Sequence, residues 1–230
     1  MRRWRRPGGN SRHDVAPAGR RPSAQSGTRR LLASLLAVVL FPALCSPARA
    51  TSTRPAAGTA ILAGGCFWTL QQVFDRVEGV TSTTTGFTGG TVRDPTYEQV
   101  LSGRTGHVEA LKIEFDPARI SFAQLLDIYW RNIDPTRSDQ QFCDIGRQYN
   151  AVVFHLDEAQ RQTAETSRAQ LERSKPFTAR VRTPIMPAAP FYPASDEHQK
   201  FYEQHADRYA QYVRSCGREA RLRMLWGTRR

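Results

Sequence analysis

Apolar positions along this chain follow two periods. The run Thr59-Ala60-Ile61-Leu62-Ala63 is nearly continuous and stops at Gly64-Gly65, after which Leu70, Val73 and Phe74 recur at helical spacing. That order predicts a strand, a tight turn and a helix, with Cys66 at the helix start. Gly79 to Phe87 is β-branched and bounded by glycine, and Gly106 to Phe115 alternates, so both predict strands. Tyr97 to Leu101 predicts a short helical turn. Ser121 caps an amphipathic helix whose apolar face is Phe122, Leu125, Leu126, Ile128, Tyr129 and Trp130. Asp134 to Gly146 is a polar loop, Asn150 to His155 predicts a strand, and Asp157 opens a helix to about Ser174. Val181 to Ile185 predicts a brief edge strand limited by Pro184. Phe191-Tyr192-Pro193 predicts a turn, and Asp196 to about Tyr209 a helix, before a basic tail that holds Cys216-Gly217. Strands and helices mix without strict alternation. The fold class this predicts is α+β, a two-layer sandwich with helices packed on one mixed sheet.

The first 58 residues stand outside this pattern. Residues 1–30 are rich in Arg, Gly, Ser and Pro, residues 31–41 are apolar and uncharged, and Ala48-Arg49-Ala50 is a small-x-small site. Together they predict a secretory leader over residues 1–50, cleaved so that Cys45 leaves with it and no membrane span remains. Residues 51–58 are a linker, and 59–230 a single domain. The charge follows the same division. Of 33 basic and 21 acidic residues, the leader holds ten and one, leaving 23 against 20. The net charge of +12 therefore belongs mostly to the export segment and gives no support to nucleic-acid binding. An exported protein, periplasmic or secreted, is the expectation. Cys66, Cys143 and Cys216 remain, an odd number that leaves one thiol outside any set of paired disulfides.

Cys66 carries the main candidate chemistry. A helix N-terminus favours a thiolate, and Phe67 and Trp68 place an apolar wall beside it. The residues alone equally allow a buried structural cysteine among core aromatics. His107 and His198 could pair with a cysteine as nucleophile and base. Neither has zinc-like spacing to another ligand, so no metal is expected. Glu109 lies on an alternating strand, where an ordinary exposed carboxylate is the simplest assignment. Tyr97 and Tyr149 by themselves are core aromatics, and Arg218 to Arg230 a solvated surface.

Taken in order, the motifs are more specific. Gly65-Cys66-Phe67-Trp68, Gly86-Phe87-Thr88-Gly89-Gly90, Pro95-Thr96-Tyr97 and Gly106-His107-Val108-Glu109 are followed by Asp134-Pro135-Thr136 and Asp144-Ile145-Gly146-Arg147-Gln148-Tyr149. Phe191-Tyr192-Pro193-Ala194 and His198-Gln199 complete the series. Over residues 58–226 the chain resembles the A-type peptide methionine-S-sulfoxide reductases. The resemblance implies a ferredoxin-like core and a flexible C-terminal tail. It makes Cys66 the nucleophile that attacks sulfoxide sulfur and Glu109 the acid. It makes Tyr97 and Tyr149 the hydroxyls that hold the sulfoxide oxygen, Asp144 their helper, and Phe67 and Trp68 the methyl pocket. Cys216 matches the recycling cysteine, which converts a Cys66 sulfenic acid to a disulfide. Cys143 is either a second resolving thiol or a loop residue without redox role. The implied substrates are oxidised proteins and peptides and free methionine sulfoxide; the reductant is thioredoxin or another dithiol, with no cofactor, and a monomer is expected. A general thiol oxidoreductase or peroxidase using Cys66 and Cys216, and a non-enzymatic binding module, are the alternatives. Thr69, Gln71, Phe87, Ile133, Ser195 and Glu197 depart from the common family residues, outside the catalytic positions.

Overall fold

A computed structural model describes residues 57–227. The expected export leader, Cys45 and all but the end of the expected linker lie outside the described residues. β1 (Gly58–Ala63), α1 (Phe67–Phe74), β2 (Val80–Thr88), α2 (Tyr97–Leu101), β3 (Val108–Phe115) and α3 (Phe122–Trp130) follow the predicted order. β4 (Gln140–Gln141) and β5 (Asp144–Ile145) form a small antiparallel ribbon inside the predicted loop. β6 (Val152–His155), α4 (Glu158–Ser174), β7 (Ile185–Pro187) and β8 (Tyr192–Pro193) come next. α5 (Phe201–Gln204), α6 (Ala206–Cys216) and α7 (Arg218–Trp226) end the fold.

The six-stranded sheet has the order β7-β6-β1-β3-β2-β8. Only the β6–β7 pair is parallel among its five pairings. Its inner four strands, β6-β1-β3-β2, take the split βαβ arrangement of a ferredoxin-like core. Strand alternation sorts side chains to the two faces. Ala60, Leu62, Leu111, Ile113 and Val153 pack beneath Leu70 and Phe74 of α1, Leu125, Leu126 and Tyr129 of α3, and Ala164 and Leu171 of α4. Ile61, Ala63, Val108, Ala110, Val152 and Phe154 face the other way, against Ala188 and Phe191. Burying one large apolar side chain contributes roughly 1.5–3 kcal/mol, so the helix-covered face, with the larger set, anchors the fold. α3 begins at a full capping box between Ser121 and Gln124, and Asp157 caps α4 through the Gln160 amide.

Four local expectations are revised. Phe191 to Pro193 is not only a turn, because Tyr192–Pro193 pairs with Gly86–Phe87 as an edge strand. The strand expected at Val181 to Ile185 begins only at Ile185, after Pro184. The helix expected from Asp196 is broken, since Lys200 is left-handed (φ 47°) and His205 ends α5 at φ −133°. The flexible tail is two docked helices: Leu222 and Leu225 of α7 are buried, and Trp226 packs on the main core. Among the described residues, no helix is long and apolar enough to cross a membrane.

Candidate active site

The turn from β1 into α1 accepts only glycine. A Cβ at Gly64 would lie 2.5 Å from Ile133 Cγ2, and Gly65 combines φ +83° with a Gln141 side-chain carbon 2.9 Å from its would-be Cβ. The Gly65 N–H is held by the Tyr149 carbonyl at 3.1 Å. This turn delivers Cys66 to the N-cap of α1, where the first N–H groups lack helical partners. Three successive amides there bond to ionisable side chains. Cys66 N–H bonds Asp144, Phe67 N–H donates to Glu109 Oε2 at 3.0 Å, and Trp68 N–H bonds the Cys66 sulfur.

Glu109 takes the helix-facing register of β3, paired opposite Phe87 of β2. It is 2% exposed and Cys66 is 6% exposed. Burial, supported by the nearby Asp144 charge and opposed by the Phe67 N–H, pushes the Glu109 carboxyl up to about 8. At neutral pH it therefore keeps its proton and is an acid rather than a carboxylate. The expected thiolate is not the resting form. Burial first, then Glu109 and Asp144, raise the Cys66 thiol well above its ordinary range, against the Trp68 N–H and the Tyr212 hydroxyl. A helix N-terminus contributes typically 0.3–1 kcal/mol, too little to offset burial beside two carboxyl groups.

Tyr97 opens α2 behind a Thr96 capping box. Its ring lies 6.4 Å from Phe67 and 4.1 Å from His198. Tyr149 sits in the single 3-10 turn after β5. Both phenols are pushed upward by burial and then by Glu109, so both hydroxyls stay protonated and can donate. Phe67 is fully buried between Phe87 and His198 and backs the site. Trp68 is half-buried and stacks on Phe201 at 3.7 Å. The described structure thus brings Cys66, Glu109, Tyr97, Tyr149, Asp144, Phe67 and Trp68 into one neighbourhood.

Cys216 and Cys143 are joined to each other, with S–S 2.04 Å and Cα–Cα 4.9 Å, leaving Cys66 as the free cysteine among the described residues. Cys143 is therefore bonded to Cys216 rather than free. Cys143, Asp144 and Cys216 place their ligand atoms within 4.8 Å of one another. Both sulfurs are committed to the disulfide, which leaves one carboxylate and no metal-binding set there. His107 is structural, as its ring accepts from Gly90 N–H at Nδ1 and bonds the Val92 carbonyl through Nε2.

Sequence reasoning missed Tyr212. Its hydroxyl donates to Asp144 Oδ2 at 2.7 Å and lies 3.9 Å from Cys216 Sγ, and its ring meets Trp68 edge-on at 6.1 Å. The signal was the spacing Tyr209, Tyr212, Cys216, one face of a helix. Arg218 also departs from its expected solvated position. It is buried, donates to the Asn132 carbonyl and stacks over Phe142 at 4.5 Å. Arg221 holds Asp134 of the Asp-Pro-Thr motif at 2.7 Å, so the basic tail clamps α7 to the loop that precedes Cys143.

The sequence model of the peptide methionine sulfoxide reductase family matches residues 58–230. Peptide methionine sulfoxide reductase MsrA 2 of Staphylococcus aureus strain Mu50 is 46% identical over 168 residues, covering 73% of this chain and 95% of that protein. The MsrA of Streptococcus mutans is 50% identical over 151 residues, covering 66% and 89%. Among solved structures, methionine sulfoxide reductase A of Corynebacterium diphtheriae superposes with TM-score 0.60 at 29% identity, over 67% of this chain and 77% of that one.

Proposed function

Because this chain belongs to the peptide methionine sulfoxide reductase family, we propose that Cys66, Glu109, Tyr97 and Tyr149 are the groups with which it carries out that family's reaction. The enzyme reduces the S epimer of methionine sulfoxide, free or in proteins, to methionine. The observation that carries the assignment of residues is the Phe67 amide bridge. One backbone N–H, adjacent to the nucleophilic cysteine, holds a buried carboxyl whose pKa is about 8.

The substrate methyl group lies against the Trp68 wall and its oxygen faces the Tyr97 and Tyr149 hydroxyls. Cys66 sulfur attacks the sulfoxide sulfur while Glu109 gives its proton to the oxygen, with the phenols stabilising the charge that develops there. The substrate S–O bond breaks as the oxygen passes to the Cys66 sulfur, the proton of the Cys66 thiol restores Glu109, methionine leaves, and Cys66 is left as a sulfenic acid. Cys216 thiol attacks that sulfur, forming the Cys66–Cys216 disulfide and releasing water. Cys143 then attacks Cys216, giving the Cys143–Cys216 disulfide and returning Cys66 as a thiol. A thioredoxin-type dithiol reduces that disulfide, so the two electrons come from thiols and the scheme uses no prosthetic group. Residues 1–50 act as an export leader, cleaved after Ala50 to give a periplasmic or secreted enzyme that works as a monomer.

Turnover of the two separated sulfoxide epimers with dithiothreitol tests the reaction. The S form is consumed and the R form is not; equal rates on both, or none on the S form, reject it. Amino-terminal sequencing of the exported protein tests the leader, with Thr51 expected first and an intact leader contradicting it.

A further inference from the structure

The two sulfurs of the Cys143–Cys216 disulfide sit in different surroundings. Cys143 is exposed, in the turn between β4 and β5, whereas Cys216 is half-buried at the end of α6 beside the Tyr212 hydroxyl. Two residues beyond Cys143, Ile145 is 77% exposed and offers a protein partner an apolar contact next to the accessible sulfur. The electrostatics are unequal as well. The Cys143 backbone N–H donates to Cys216 Sγ at 3.2 Å. Cys143 Sγ instead lies 3.7 Å from Asp144 Oδ1. The Asp144 carboxyl lies within 4.8 Å of both sulfurs; negative charge on Cys216 also meets a donor, whereas negative charge on Cys143 meets the carboxyl oxygen at 3.7 Å. Cys216 is the last residue of α6, so the helix C-terminus works against its thiolate, and the direct N–H contact works for it.

We infer that an external dithiol attacks Cys143 Sγ and that Cys216 is the sulfur released. Exchange runs fastest through the accessible sulfur and the better leaving thiolate. In this step the reductant thiolate forms an S–S bond to Cys143, the Cys143–Cys216 bond breaks, and its electron pair goes to Cys216 Sγ, which takes a proton from water. The second thiol of the reductant then attacks its own partner sulfur, closing the reductant's disulfide and freeing Cys143. Two electrons pass from the dithiol to the protein. Cys216 is set free beside Tyr212, whose hydroxyl also bonds Cys66, so it is placed to meet the next sulfenic acid. The three cysteines thus divide the work: Cys66 reacts with substrate, Cys216 passes the oxidation on, and Cys143 faces the reductant. This inference rests on the reading that the reductant meets the Cys143–Cys216 disulfide.

The test uses the oxidised, full-length exported protein and a thioredoxin whose second active-site cysteine is replaced by serine. Mixed disulfides are quenched with acid at early times and mapped by mass spectrometry without reduction. At least about tenfold more adduct is expected on Cys143 than on Cys216. Predominant adduct on Cys216, or no adduct while intact thioredoxin reduces the same protein, overturns the inference. Adduct on Cys66 overturns the relay on which it rests as well.

Discussion

At the scale of single residues, the site depends on a carboxyl group kept neutral by its surroundings. The Glu109 pKa rises from an ordinary 4.5 to about 8, so between those values the folded state binds a proton that the unfolded state has lost. Stability linked to Glu109 is fully present below about 4.5 and is lost as pH climbs through about 8. Glu109→Gln keeps the shape and an acceptor for Phe67 N–H but removes the titration. We expect this variant to melt above the wild type at pH 9 and to show a smaller difference at pH 5. For a domain of this size, each kcal/mol recovered shifts Tm by about 2–4 °C. Thermal melts at the two pH values check this, and an equal offset at both would contradict it. On the proposed reading the phenols act on the sulfoxide oxygen rather than on stability. Tyr97→Phe and Tyr149→Phe should each lower kcat for the S sulfoxide about 10–100-fold with little change in Tm, a magnitude below that of a full oxyanion donor. Steady-state rates and melts of the two variants separate these effects.

At the scale of elements, two devices position the chemistry. The β1–α1 turn fixes Cys66 through glycines that cannot carry a side chain, and this was legible in the sequence because Gly64-Gly65 punctuates an apolar run. α6 and α7 hold Cys216, the proposed recycling cysteine, and these were not legible. α6 shows its inner face through Tyr209, Tyr212 and Cys216, polar-tipped residues that apolar periodicity overlooks. α7 buries Arg218 with Leu222 and Leu225 while Met224 points to solvent, so its face is marked by a charge that composition assigns to the surface. The disulfide joins residues 73 apart, a pairing that no local pattern can state. The recycling role gives a separate prediction. Cys216→Ser should yield one methionine per active site and then stop with thioredoxin as reductant. Quantifying methionine per enzyme in single- and multiple-turnover assays checks it. Continued turnover would mean that Cys143 or the reductant resolves Cys66 directly.

At the scale of the whole molecule, the main sheet carries Glu109, the start of α1 carries Cys66, and the short elements between the main strands carry Tyr97 (α2), Asp144 (β5) and Tyr149 (the 3-10 turn). The order of motifs along the chain made this assembly legible without any single motif being decisive, because each block falls where an element ends. What the order could not convey is state. With Cys143 and Cys216 joined, Cys66 is buried and protonated, and on the proposed reading this is the oxidised form awaiting reductant. Its catalytic centre still joins one thiol to one neutral acid, and the most direct test is the pH dependence of methionine formation in a single turnover by reduced enzyme. The wild type should lose rate as pH rises through about 8, whereas Glu109→Gln should be slower by about 100-fold or more and lack that limb. A variant as fast as the wild type, with the same profile, would contradict the account.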